Sequence, residues 1–263
     1  MENVYPKPAM WQKNVSFGCE CQPSWFAFHL GLPLVVFLLL LAWLEVFGLD
    51  MALSQWLFRL EGGVTHWPLR NAWWTDTLIH SGGRNLVIFL GLAVIAGLID
   101  SYFSATMRPF RRGLWYLLAS VVTTLVLVRI GKNLSHISCP WDLTDFGGKF
   151  AYSSLLEPLA LGAEFGQCFP GGHSSGGFAW IALYYFALAC VPRLRWRGFA
   201  LGLGMGLVFA MGQELRGAHF LSHDLTSLAI AWSVASLLYY VIFIRAARPS
   251  SRETLSLGIG KYQ

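Results

Sequence analysis

Six stretches of the chain stay apolar for long enough to cross a bilayer: Trp25 to Gly48, Asn85 to Phe103, Leu114 to Ile130, Ser175 to Val191, Phe199 to Leu215 and Leu225 to Ile244. A helix needs about 20 such residues to span roughly 30 Å of hydrocarbon. A lipid-embedded backbone must bond to itself, so these runs read as helices rather than open strands. Between them, Leu53, Trp56, Leu57 and Leu60 recur at helical spacing in a shorter segment, Met51 to Leu60, and predict a helix lying at the interface. The Trp-rich HWPLRNAWWTD that follows suits a headgroup belt. The pattern as a whole predicts an all-α, polytopic membrane protein with six transmembrane helices.

Composition supports that reading. Of 263 residues, 55% are hydrophobic and 15% aromatic, while only 13% are charged, about half the charged share of a soluble domain. Three domain-level segments follow: an N-terminal cytoplasmic or interfacial stretch, 1–24, a membrane domain, 25–244, and a cytoplasmic tail, 245–263. The first apolar run is too long, and begins too far in, for a cleaved signal peptide.

The net charge of +5 matters through its position. Arg108, Arg111 and Arg112, then Arg193, Arg195 and Arg197, then Arg245, Arg248 and Arg252 all fall on one side of a six-span topology. Basic residues collect on the cytoplasmic face, so both termini are expected inside. The segments Asp50 to Arg84, Asn133 to Ser174 and Arg216 to Asp224 are expected outside. Arginines placed in this way orient the chain, and nucleic acid is not an expected partner.

Three polar clusters end apolar runs on that outer face. They are Lys132 to Pro140 (KNLSHISCP), Pro170 to Ser175 (PGGHSS) and Arg216 to Asp224 (RGAHFLSHD). Any one of them alone reads as a set of interfacial anchors or snorkelling side chains. Three on one side converge on one aqueous pocket.

In order and spacing these clusters resemble the motifs of the type 2 phosphatidic acid phosphatase (PAP2) superfamily, whose patterns are K-x6-R-P, P-S-G-H and S-R-x5-H-x3-D. The likeness runs from Lys132 to Asp224. It implies an integral membrane lipid phosphatase of a bacterial inner membrane, with its active site facing the periplasm. His219 would attack phosphorus to give a phosphohistidine, and His173 would protonate the leaving oxygen. Lys132 would supply a point charge, and Ser174 a hydrogen bond, unless it simply caps its helix. Gly171 and Gly172, lacking Cβ, would let backbone amides cradle the phosphate at a helix N-terminus. The substrates implied are lipid phosphates: undecaprenyl diphosphate first, then lipid A phosphate or phosphatidylglycerol phosphate. Phosphotransfer to a second lipid and a silent lipid-binding protein are the alternative functions. No cofactor and no metal are expected.

The chain departs from the family pattern at three of its charged positions. Cys139 stands where the first motif has arginine, and Gln213 stands where the third has arginine. Arg216, one helical turn before His219, is the expected substitute cation, with Arg129 and Arg84 as further candidates for phosphate or as interfacial anchors. Four residues after His219, where the family has aspartate, stands His223, followed by Asp224. Either His223 relays to His219 or Asp224 reaches it, and the carboxylate is the better stabiliser of imidazolium. Cys139 and Cys168 both fall on the oxidising face, where a disulfide is permitted. Cys19, Cys21 and Cys190 are expected as free thiols.

Overall fold

The computed structural model describes residues 22–135, 137–155 and 166–245. The N-terminal stretch with Cys19 and Cys21, most of the tail with Arg248 and Arg252, and part of the loop after Asp142 lie outside the described residues. Eight helices order the described residues. They are α1 (Ser24–Val46), α2 (Leu49–Leu60), α3 (Trp74–Phe103), α4 (Arg111–Ser135), α5 (Gly172–Phe178), α6 (Leu183–Cys190), α7 (Arg195–Leu215) and α8 (Leu221–Tyr239). One isolated bridge, Leu143 to Phe150, is the strand-like pairing found among the described residues.

Five of the helices, α1, α3, α4, α7 and α8, are long and apolar enough to cross a membrane. The sixth expected span, Ser175 to Val191, is built differently. A 3-10 segment, Ala179–Ala182, joins α5 to α6. The Ser- and Gly-rich start of α5 weakens its apolar character, and the helix is buried by its neighbours. Tyr116, Leu117 and Val121 of α4, Ala210 of α7 and Ala231, Ala235 and Tyr239 of α8 form one core around Phe178 to Ala182 and Tyr185. Small residues permit that approach: a Cβ on Gly177 would lie 2.6 Å from the Cα of Gly206 on α7.

The outer helices show the lipid-facing pattern. Leu86, Ile88, Phe89, Leu92 and Ile99 of α3 are exposed, as is most of α1. Polar bonds inside the bundle tie α1 down: His29 Nδ1 lies 2.7 Å from the Tyr185 hydroxyl, which lies 2.8 Å from Ser236 Oγ, while Trp232 Nε1 donates to the His29 carbonyl at 2.7 Å.

Helix boundaries shift from the sequence reading in ways that bear on the site. α3 begins at Trp74, eleven residues before the expected Asn85, through a π-helical stretch, Trp74–Gly82. α4 runs on to Ser135 and so carries Lys132. α8 begins at Leu221 rather than Leu225, which puts His223 and Asp224 in its first turn. At the opposite end of α4, Arg112 donates to the Ile242 carbonyl and Arg111 to the Ser101 carbonyl.

A second apolar cluster caps the polar end. Leu57 and Phe58 of α2, the expected interfacial helix, pack with Trp67, Leu143, Phe146 and Phe220. Asp50 of α2 accepts the Ser222 N–H at 3.0 Å, placing a carboxylate at the α8 N-terminus. α7 ends in a Schellman motif: the Gly217 N–H reaches Glu214 O at 2.9 Å and the Ala218 N–H reaches Gln213 O at 2.8 Å. Gly217 has φ +69°, and any Cβ there would strike the Trp67 ring. This turn delivers His219 to the cavity between the two clusters.

Candidate active site

The polar end of the bundle holds an open cavity of about 410 Å³. Its walls include His80 of α3, Arg129 and Lys132 of α4, Gly172 and His173 of α5, Gln213 of α7, and His219. Residues that the sequence places on five separate segments therefore meet at one surface.

His219, in that wall, is hydrogen-bonded to Asp224. Nδ1 of the imidazole lies 2.7 Å from Asp224 Oδ1, and the two residues are 5% and 2% exposed. With Nδ1–H donated to the carboxylate, Nε2 is the lone-pair nitrogen of the neutral ring. Burial first, then the electrostatic influence of Lys132, His80 and Arg216, holds His219 well below its ordinary pKa. The neutral ring is the form a nucleophile requires. His223 has no part in this contact: its ring packs between Phe169 and Phe220, at 5.4 and 5.3 Å, and its Nδ1 is buried without a hydrogen-bond partner.

Lys132 Nζ donates to the carbonyls of Gln167, at 2.9 Å, and Cys168, at 3.2 Å. Cys168 is joined to Cys139 with the Cα atoms 5.3 Å apart. The paired cysteines thus fix the loop that holds the lysine head. His173 sits beside Phe209 and His80, at 4.7 and 4.6 Å between ring centroids, with Nε2 3.3 Å from the Ile79 carbonyl.

The structure corrects four roles expected from the sequence. The Gly171 N–H is occupied by the His223 carbonyl at 3.0 Å, so it is not a free phosphate donor. Its missing Cβ instead makes room for catalytic side chains: that atom would lie 2.4 Å from Asp224 Oδ1, 2.5 Å from Ser174 Oγ and 3.0 Å from His219 Nδ1. A Cβ on Gly172 would meet Lys132 Cε at 2.7 Å. Ser174 is fully buried and donates to the Gly171 carbonyl at 3.1 Å, and Gly171 rather than Ser174 is the residue at the α5 N-cap. Ser175 lines the cavity in its place.

Arg216 is the third correction. Its guanidinium binds Asp76 Oδ1 at 2.6 Å and the Arg70 carbonyl at 2.9 Å, so its charge is spent on α3 and it is not part of the cavity wall. The fourth is Arg84, an exposed residue that lies outside the wall, whereas Arg129 lies within it.

Sequence reasoning missed His80, Asp76 and the bond between Gln213 and His80, in which Gln213 Nε2 lies 3.0 Å from His80 Nδ1. The available signal was an ionisable residue closing a polar segment at the outer end of an apolar run. That is the criterion that picked out the other three clusters.

The sequence profile of the PAP2 superfamily matches residues 113–247, a little over half of the chain. Comparison with curated protein sequences finds no match. Among solved structures, the chain is similar to a transmembrane PAP2 type phosphatidylglycerolphosphate phosphatase from Bacillus subtilis. The TM-score is 0.51 at 18% identity, over 82% of this chain and 96% of that one. At that identity the likeness is one of fold.

Proposed function

The chain belongs to the PAP2 superfamily, and from that premise we propose that it hydrolyses a lipid phosphate or diphosphate through a phosphohistidine on His219. The observation that carries this reading is the 2.7 Å contact of His219 with Asp224 at the wall of a cavity shared with Lys132 and His173. Nε2 of His219 attacks phosphorus, and the bond from phosphorus to the lipid oxygen breaks. His173 gives that oxygen a proton, and Asp224 stabilises the imidazolium as it forms. Water, activated by the now-neutral His173, then cleaves the N–P bond and releases inorganic phosphate. Lys132 and Arg129 offset the charge that gathers on the phosphoryl oxygens.

The favoured substrate is undecaprenyl diphosphate, with lipid A phosphate and phosphatidylglycerol phosphate as the neighbouring classes. We place the site at the periplasmic face of a bacterial inner membrane, with α5 and α6 together acting as the sixth span. Two features support this: Arg111, Arg112, Arg195 and Arg197 open the helices α4 and α7, whose other ends carry Lys132 and Gln213, and the paired cysteines beside the cavity suit an oxidising compartment.

The test is purified protein in detergent with a panel of lipid phosphates. Stoichiometric inorganic phosphate is expected from one lipid as sole substrate, undiminished by EDTA. Phosphate that appears only on a second added lipid would show transfer instead, and EDTA sensitivity would sink the metal-independent route. For orientation, cysteines introduced at Thr144 are expected to label from outside and those at Arg111 to be spared. Periplasmic labelling at Arg111 would reverse the topology.

A further inference from the structure

We propose that His80 is a phosphate-binding residue of this site and does the work of the arginine that the family pattern has at the Gln213 position. The assignment rests on the phosphatase reading above for the identity of the anion, but its geometry is independent of it. His80 lines the same cavity wall as Lys132, His173 and His219. Its ring stands 4.6 Å from that of His173.

The Gln213 side chain is 3% exposed, with Nε2 3.0 Å from His80 Nδ1. An amide N–H can only donate, so His80 Nδ1 accepts, and the proton of the neutral ring is carried on Nε2. No hydrogen bond to that nitrogen is found among the described residues. The pair therefore presents a fixed, neutral N–H donor to the cavity.

The surroundings explain why a histidine on α3 stands there. Asp76, one turn earlier on the same helix, holds Arg216 at 2.6 Å. This ion pair clamps the start of α3 against the end of α7 and sets His80 beside Gln213. Arg216 and Asp76 thus act as positioning residues. A guanidinium at the Gln213 position would bring a permanent charge. The Gln213–His80 pair supplies direction without charge, and leaves Lys132 and Arg129 as the cations of the wall.

Orthovanadate serves as the probe, with thermal protection giving its apparent Kd in parallel with kcat/KM for the lipid phosphate. His80→Ala is expected to weaken vanadate binding by roughly 10- to 100-fold, the range for losing a hydrogen bond to a charged acceptor, with kcat/KM falling in step. In the double variant His80→Ala/Gln213→Arg, the guanidinium enters the vacated space, and affinity is expected to return to near wild type. A purely structural role for His80 gives no such rescue. Should His80→Ala fail to fold, His80→Gln, which keeps the bulk, is measured in its place.

Unchanged vanadate affinity in the His80 variant would overturn the assignment. So would a loss that Gln213→Arg does not restore in a protein melting like wild type, or wild type that binds no vanadate. Wild type that binds vanadate through His80 yet releases phosphate from no lipid would uphold His80 as an anion ligand and remove the phosphatase reading alone.

Discussion

His219 and Asp224 are hydrogen-bonded at 2.7 Å although they stand five residues apart, one more than the family spacing allows. The extra residue is absorbed because His219 lies in the non-helical link that follows the Gly217 turn, before α8 begins at Leu221. Asp224 is in the first helical turn, where its charge also faces the positive end of the α8 dipole. His223, at the family spacing, points instead into the aromatic pocket of Phe169 and Phe220.

His219→Ala is expected to remove turnover altogether while the protein remains folded. Asp224→Asn is expected to keep weak activity, lowered by about a hundredfold or more, because the amide mis-sets the imidazole tautomer. His223→Ala is expected to lower stability and keep the chemistry. Phosphate release by each variant, with its melting curve, checks all three. A dead His223→Ala beside an active His219→Ala would reverse the assignment of the nucleophile.

Gly171→Ala is expected to impair catalysis without unfolding the bundle. The added methyl group would press on Asp224, Ser174 and His219 at once, and displacements near 1 Å at a reacting centre cost on the order of a hundredfold in rate. The check is kcat for the variant against wild type at equal melting temperature. Wild-type kcat would mean that the pair relaxes freely.

The Cys139–Cys168 link closes a loop of 29 residues. In the chain-entropy model such a link stabilises by roughly 3.5 kcal/mol. Replacing both cysteines by serine is expected to lower the unfolding temperature. It is also expected to raise KM, because the Gln167 and Cys168 carbonyls that hold Lys132 lose their anchor. Non-reduced peptide mass spectrometry that finds both thiols alkylatable in the native protein would refute the link.

Glu61, at the end of α2, has a carboxyl pushed up to about 7 by burial, opposed by the Leu69 N–H, and its Oε1 has no partner. A carboxyl whose pKa rises on folding favours the folded state below its ordinary value of 4.5, and that contribution is lost as pH climbs through about 7. The melting temperature of wild type is therefore expected to fall across this window. Glu61→Gln is expected to flatten that fall and to be the more stable protein at pH 8. Parallel pH profiles for the two proteins would show that Glu61 titrates normally.

Much of this protein is set by local sequence. Apolar runs of bilayer length leave helix as the available conformation, because lipid satisfies no backbone group. The placing of Arg111, Arg112, Arg195 and Arg197 at one set of helix ends, and of Lys132, His173 and His219 at the other, follows from counting spans. Tertiary structure decided the rest. Whether His223 or Asp224 reached His219 turned on where α8 began, which Asp50 of α2 and the Gly217 turn determine by packing. Arg216 read as a free cation along the chain, and became the partner of Asp76 because α3 extends eleven residues beyond its apolar run. His80 and Gln213 are 133 residues apart, and neither carries a local pattern that announces the other. A contact across that distance exists only once the bundle closes, because the packing of α3 against α7 is what brings the two side chains within hydrogen-bond reach.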